Sequence, residues 1–426
     1  MKILRTMAAL TAVTLLAAGC AGGNGTPDGN DAAAKTGAID VWLSNNEQEV
    51  AWGKAVVEAW NKDHPDEQVK AQEIPAGSSS EEAITAAITA GTSPCLVLNI
   101  STAAVSGWVR QGGLVNLSTT FKDGDSYINE RTGGSAEFYK TDGGFYQLPW
   151  KSNPVMVMYN KTIFEKAGID PDNPGMESYD GFLAGARKIV ESGAAKSAIW
   201  PAPTSEFYQP WFDFYPLYLA ATEGTPLVKD GKATFNDDNG KAVAEFWATI
   251  YKEGLAPKEA STDDAMSAGT TSMQMAGPWA IPSYADTVDV GFMAVPTPDG
   301  AKDPYTFADS KNISMFTSCE NQGTAWEFLK FATSEDSDGQ LLEATGQMPM
   351  RGDLEGTFPD YFAANPNYKA FAAQTERVGD VPSIPNSVEV WQKFRDGYSS
   401  SVIFAKTPID DFLSGTASEI DKLVAG

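Results

Sequence analysis

Aromatic side chains crowd one short stretch of this chain. SEFYQPWFDFYPLY, residues 205–218, holds Phe207, Tyr208, Trp211, Phe212, Phe214, Tyr215 and Tyr218. Aromatic faces stack on the C–H faces of sugar rings, and short polar side chains hydrogen-bond the rim of hydroxyls. At 100° per residue Tyr208, Trp211 and Tyr215 share one helical face, while Phe207, Phe214 and Tyr218 lie on another. A stripe of this kind packs a core or presents a ligand platform, and not all seven rings can be core. Polar partners for such a platform belong at strand ends. Asn45, Asn46 and Glu47 follow the first apolar stretch, where they form a polar clamp or a solvated helix cap. Asn99 ends the third apolar stretch and is similarly placed.

Enzyme chemistry finds less support. The single histidine, His64, lies in NKDHPDE at an expected helix end and is expected to be exposed. The patterns HExxH, GxSxG and Walker A are missing, and one surface histidine is a poor basis for a Ser–His–Asp triad. Fifty-six acidic residues make carboxylate pairs unavoidable, so a glycosidase-like pair stays open by inventory, yet nothing singles one out. No cofactor is expected, and no Cys/His spacing suits a metal. The formal charge, 31 − 56 = −25, repels phosphate backbones and argues against nucleic acid as a partner. RGD at 351–353 resembles an adhesion signal, but a tripeptide matches too easily by chance.

The surrounding elements must position these residues. Lys2 and Arg5 precede an apolar run at 7–18, too short for a bilayer span, and Ala17, Ala18 and Gly19 lead to Cys20. Residues 1–20 thus read as a secretory signal. Its last four residues resemble a lipobox, whose cysteine is acylated and becomes the mature N-terminus; Ala17 stands where Leu is preferred. Residues 21–36, rich in Gly, Asn and Asp, read as a flexible tether between membrane and body. About 390 residues remain, a length that suits two lobes. AIDVWL (38–43), 69–74 and SPCLVLNI (93–100) read as strands, and 50–60, 81–90 and 102–111 as helices. That alternation implies βαβ units around a parallel sheet, an α/β fold. Further helices are expected at 179–191, 208–221, 241–253, 324–333, 388–399 and 409–424. Strands are expected at 273–275, 290–294 and 311–317, and an extended run at 144–161 is broken by Pro149 and Pro154. Cys95 and Cys319 form one disulfide in an oxidising compartment or remain buried thiols.

Several segments, in this order, resemble the maltose-binding-protein-like solute-binding proteins, extracellular solute-binding protein family 1 of the ABC importers. They are AGTSPCLV (90–97), FYQLPW followed by VMVMYNKTIFEKAGID (145–170), FWATIYKEG (246–254), MQMAGPWA (273–280), NISMFTSCENQGTAWEFLKFATSE (312–335) and GQMPMR (346–351). Each piece is weak alone, but their collinear order from 38 to about 425 is specific. Cys95, where the family places Asp, and ESYDGF (177–182) depart from the pattern. The resemblance implies a two-lobed periplasmic-binding-protein-like fold, each lobe a mainly parallel sheet flanked by helices, with a ligand cleft at the hinge. Crossings are placed near 149–154, 307–311 and 349–351. Lobe one is then 37–151 plus 311–350, and lobe two 152–310 plus 351–426. Such a cleft lies at the carboxyl ends of the strands.

By the same resemblance, the turn carrying Tyr208 and Trp211 faces the cleft. Trp279 in GPWA and Trp391 in VPSIPNSVEVWQKF take the places of stacking tryptophans. Trp150 and Lys151 lie on the first hinge, Asp309 and Lys311 on the second and Arg351 on the third, where hinge packing or a hinge salt bridge is the alternative use. In that fold the strand at 311–317 runs antiparallel beside the third strand, which brings Cys319 to Cys95 for a disulfide. The implied function is capture of a neutral oligosaccharide by cleft closure and its delivery to ABC permease subunits. The chain is then a monomer, lipid-anchored through Cys20 on the extracytoplasmic face of the cell membrane. A surface glycan-binding adhesin or sensor without transport and a secreted carbohydrate-active enzyme are the alternatives.

Overall fold

The computed structural model describes residues 33–76, 79–133, 135–200, 204–260 and 264–425, so the signal, Cys20 and most of the tether lie outside them. Local signals build the first lobe. Strand β1 (Ile39–Leu43) ends at helix α1 (Glu47–Asp63), whose cap Asn46 accepts the Glu49 N–H at 3.0 Å. Val50, Val56, Val57 and Trp60 recur at helical spacing and pack into the core. Strand β2 (Val69–Glu73) lies parallel to β1, with Ile39 beside Val69. Helix α2 (Ser80–Ala90) starts on the Ser79 hydroxyl and stops at Gly91, whose φ of +67° suits glycine. Strand β3 (Leu96–Ile100) is again parallel to β1, and α3 (Thr102–Arg110) follows it. Beyond the helix end that carries it, His64 is half-buried and stacks on Trp60, with ring centroids 3.6 Å apart, because the rings are held together by the His64 Nδ1 contact with the Trp60 carbonyl.

After β4 (Leu148–Lys151), the chain passes to a second sheet of β5 (Met156–Asn160), β6 (Ser197–Trp200), β7 (Thr271–Ala276) and β8 (Val290–Met293), ordered β8-β5-β7-β6. This sheet is mixed, since β5 runs antiparallel to both β7 and β8. Helices α4 (Tyr179–Glu191), α5 (Phe214–Ala221) and α6 (Asp238–Lys252) pack around it. Strand β9 (Lys311–Met315) then returns to the first sheet, which reads β2-β1-β3-β9-β4. Helices α7 (Gln322–Ala332) and α8 (Glu335–Thr345) complete the first lobe, and α9 (Ser387–Tyr398) and α10 (Ile409–Val424) close the second. Each lobe has its own apolar core: Val41, Leu96, Ile313 and Trp326 mark one, and Phe182, Tyr218, Trp247 and Phe394 the other.

One expected helix is broken. Over 208–221 the chain forms a 3₁₀ turn, Gln209–Phe212, before α5, because Asp213 leaves helical geometry (φ −141°) and caps α5 through the Phe214 N–H at 2.5 Å. Between the lobes, three chain segments run side by side. Val155 N–H donates to the Phe307 carbonyl (2.9 Å), Ser152 N–H to Met348 (2.9 Å) and Met350 N–H to Trp150 (2.7 Å). Cys95 precedes β3 and Cys319 follows the antiparallel β9; the two are joined in a disulfide, with Cα atoms 4.5 Å apart. No described helix is long and apolar enough to cross a membrane.

Candidate functional site

The carboxyl ends of β1, β2 and β3 all open toward one cavity of about 630 Å³. Asn45 follows β1, Ile74–Ala76 follow β2, Ser79 and Glu81 begin α2, and Asn99 and Ser101 close β3. The facing wall is aromatic: Phe207, Tyr208, Trp211 and Phe212 around the 3₁₀ turn, and Trp279 from the turn after β7. Asp309 and Lys311 stand between the two walls, on the segment that returns to the first lobe. The structure therefore brings together Asn45, Asn99, Tyr208, Trp211, Trp279, Asp309 and Lys311.

The aromatic rings brace one another. Phe212 meets Trp279 edge-on at 6.1 Å between centroids, and Phe207 meets Trp211 edge-on at 5.5 Å. Gly277 lets Trp279 fold back over its own turn, since a Cβ there would lie 1.8 Å from the indole ring. Asn99 (φ +68°) and Asp309 (φ +39°) both hold left-handed backbone, which Asn and Asp adopt more readily than other side chains. Burial pulls the Lys311 ammonium down, but the Asp309 carboxylate at 2.5 Å outweighs it and holds the ammonium above its ordinary range. Burial, then the negative charges of Glu206 and Glu81, keep the Tyr208 hydroxyl protonated and able to donate. The cavity thus offers flat apolar faces on one side and donors and acceptors on the other.

Six expected ligand residues lie elsewhere. Asn46 is spent on capping α1, and Glu47 points to solvent in the first turn of that helix. Trp150 is 1% exposed and packs on Trp52, with centroids 5.5 Å apart. Lys151 is fully buried and pairs with Glu49 at 2.5 Å; burial takes its pKa down to about 8 despite that partner. Arg351 pairs with Asp338 at 2.6 Å, beside Arg131, which also donates to the carbonyls of Pro149, Trp150 and Met350. Trp391 is 1% exposed in the second core. A buried charge survives only with a partner, so Lys151 is held by Glu49 beneath the hinge, while the partly exposed Arg351 is held by Asp338 away from the aromatic cavity.

Phe207 and Phe212, named only as members of the aromatic cluster, and Ser79 and Glu81, not singled out at all, also line the cavity. Glu81 had a readable signal, because it opens the helix after β2 and parallel strands direct such starts toward one edge of the sheet. Phe212 belonged to neither helical face of the aromatic cluster, and the 3₁₀ turn that replaces the helix there is what brings it to the wall.

A family model described as bacterial extracellular solute-binding protein matches residues 44–338. The chain belongs to that family. The solute-binding protein is 26% identical over 412 residues to the diacetylchitobiose binding protein DasA of Streptomyces coelicolor, covering 91% of each chain. Among solved structures it resembles the GacH receptor of Streptomyces glaucescens, studied unliganded and in complex with acarbose and an acarbose homolog (TM-score 0.77, 22% identity, 92% of this chain and 99% of that one). It also resembles the cyclic alpha-maltosyl-1,6-maltose binding protein of Arthrobacter globiformis (TM-score 0.77, 19% identity, 91% and 99%). These likenesses establish the two-lobed fold of the solute-binding protein.

Proposed function

We propose that this solute-binding protein is the capture subunit of an ABC importer and that its solute is a neutral oligosaccharide. One observation carries the reading: a cavity of about 630 Å³ between the lobes sets Trp279, Trp211, Phe212 and Tyr208 against Asn45, Asn99, Asp309 and Lys311. Rings with apolar faces and hydroxyl rims suit that pairing. The sugars named for the relatives are in keeping with it. The lobes divide at 37–151 plus 311–350 and 152–310 plus 351–426, close on the ligand, and present the closed shape to permease subunits. The monomer is held by an acylated Cys20 on the extracytoplasmic face of the membrane.

A calorimetric screen of a few dozen oligosaccharides tests the reading. At least one neutral oligosaccharide binds, and its affinity changes little with salt, because screening leaves an uncharged ligand unaffected. A steep loss of affinity with salt overturns neutrality. Binding of no oligosaccharide overturns the function.

A further inference from the structure

A separate cavity, of about 560 Å³, opens at the hinge and shares no lining residue with the aromatic one. The three crossing segments supply its floor through Ser152, Ala308 and residues 349–351. Ala308 lines it, whereas the next residue, Asp309, lines the aromatic cavity. One wall carries Phe138 and Tyr139, from the segment before β4. The other is the helix Pro366–Gln374 and the short strand Val378–Gly379, which leads to Asp380. Ser152 and Asp380 are each only 5% exposed, yet neither Ser152 Oγ nor Asp380 Oδ2 has a hydrogen-bond partner among the described residues. Backbone bonds hold their segments side by side: the Asn153 N–H donates to the Ala308 carbonyl (2.6 Å) and the Ala308 N–H to that of Gly379 (2.9 Å).

A carboxylate buried without a counter-charge is costly. Asp380 Oδ1 accepts the Val381 N–H at 2.7 Å, but Lys311, whose positive charge acts on the carboxyl, is committed to Asp309 at 2.5 Å. Burial raises the Asp380 pKa to about 6, so the group is charged at pH 7.5. Around it Asp353, Glu355 and Glu376 stand against one lining cation, Arg351, which Asp338 holds at 2.6 Å. Glu355 meets Lys369 at 3.4 Å, an exposed pair of little weight. The other lining is largely apolar, with Met350, Leu354 and a Phe138 that is 43% exposed. Among the described residues no three His, Cys, Asp or Glu are grouped to hold a metal ion. An ammonium on an apolar body fits instead. Its N–H groups donate to Asp380 Oδ2 and Ser152 Oγ, and its carbon skeleton covers the Phe138 side.

We propose that this hinge cavity is a binding site for a small organic amine, seated by its ammonium on Asp380 and Ser152. The site is separate from the aromatic cavity and independent of the solute bound there.

Calorimetry at pH 7.5 tests it with butylamine, cyclohexylamine and phenethylamine, and with their uncharged counterparts 1-butanol, cyclohexanol and 2-phenylethanol. At least one amine binds at a single site with a Kd under about 1 mM, and about tenfold or more tighter than its alcohol. Asp380→Asn removes that preference. Ala373→Trp, from an exposed position on the helix wall, fills the cavity and abolishes amine binding, which covers the case of an Asp380 variant that folds poorly. Trp279→Ala, in the aromatic cavity, leaves amine affinity within about twofold. Failure of all three amines, an alcohol that binds as well as its amine, or amine affinity unchanged in both Asp380→Asn and Ala373→Trp overturns the site. Loss of amine binding in Trp279→Ala moves the amine to the aromatic cavity and overturns it as well. Calcium or magnesium chloride that displaces the amine and depends on Asp380 overturns the amine in favour of a metal ion. None of these outcomes touches the oligosaccharide reading, which the sugar screen decides.

Discussion

The indole of Trp391 meets that of Trp211 edge-on, with ring centroids 5.7 Å apart and planes at 86°. Trp211 faces the cleft, whereas Trp391 stands one layer behind it and also meets Tyr215 at 5.0 Å. The aromatic wall is thus two rings deep. The front ring, Trp211, lines the cavity although it is only 4% exposed, and the back ring belongs wholly to the fold.

Trp391→Ala should therefore act on stability. Truncating a buried tryptophan leaves a cavity and costs about 3–5 kcal/mol. Chemical denaturation reads this as a lowered midpoint with unchanged slope. A stable variant that loses only sugar affinity would place Trp391 at the ligand after all.

Trp279→Ala should do the reverse. Trp279 is half-buried at the cleft, and truncating an aromatic anchor typically costs ~2 kcal/mol of binding, a roughly thirtyfold weaker dissociation constant. The thermal midpoint of the unliganded protein should hardly move. Unchanged affinity for the sugar found by screening would remove Trp279 from the site.

The Cys95–Cys319 bond closes a loop 224 residues apart in sequence, which contains much of the second lobe. Chain-entropy arguments give on the order of 5 kcal/mol as an upper value for such a link. Denatured, unreduced protein in which Cys20 has been replaced should show no free thiol. Reduction, or Cys319→Ser, should lower the unfolding midpoint. Two titratable thiols in unreduced protein would rule the bond out.

Asp213 and Asp380 are buried carboxyls, and burial raises them to about 7 and about 6. The Phe214 N–H and the Gln209 amide oppose that rise at Asp213, and the Val381 N–H and Ser310 oppose it at Asp380. Unfolded carboxyls titrate near pH ~4, so in this window the folded state holds the extra proton. Stability from these groups is complete below about pH 4 and is lost as pH rises to about 7. The thermal midpoint should accordingly be higher at pH 5.5 than at pH 7.5, and Asp213→Asn, which keeps the shape without the charge, should flatten that slope. A midpoint that rises from pH 5.5 to 7.5 in the parent protein would contradict the assignment.

Local chemistry alone determined much of this protein. Ser178, whose hydroxyl accepts the Gly181 N–H, starts α4 at the expected residue, and α10 spans the expected 409–424, because caps and apolar spacing act within one or two turns. Strand ends likewise announced Asn45 and Asn99, since a parallel sheet directs its carboxyl ends to one side. The resemblance to solute-binding proteins put Trp279, Asp309 and Lys311 at a cleft, and the three line one cavity, without saying what they hold. Tertiary structure alone decided the fate of Lys151, Arg351, Trp150 and Trp391. Glu49 lies about a hundred residues before Lys151, and Asp338 is shared by Arg351 and the distant Arg131. Whether a charge or an indole ends in a cleft or beneath a hinge depends on which partner the rest of the chain brings to it, and desolvation makes that partner decisive.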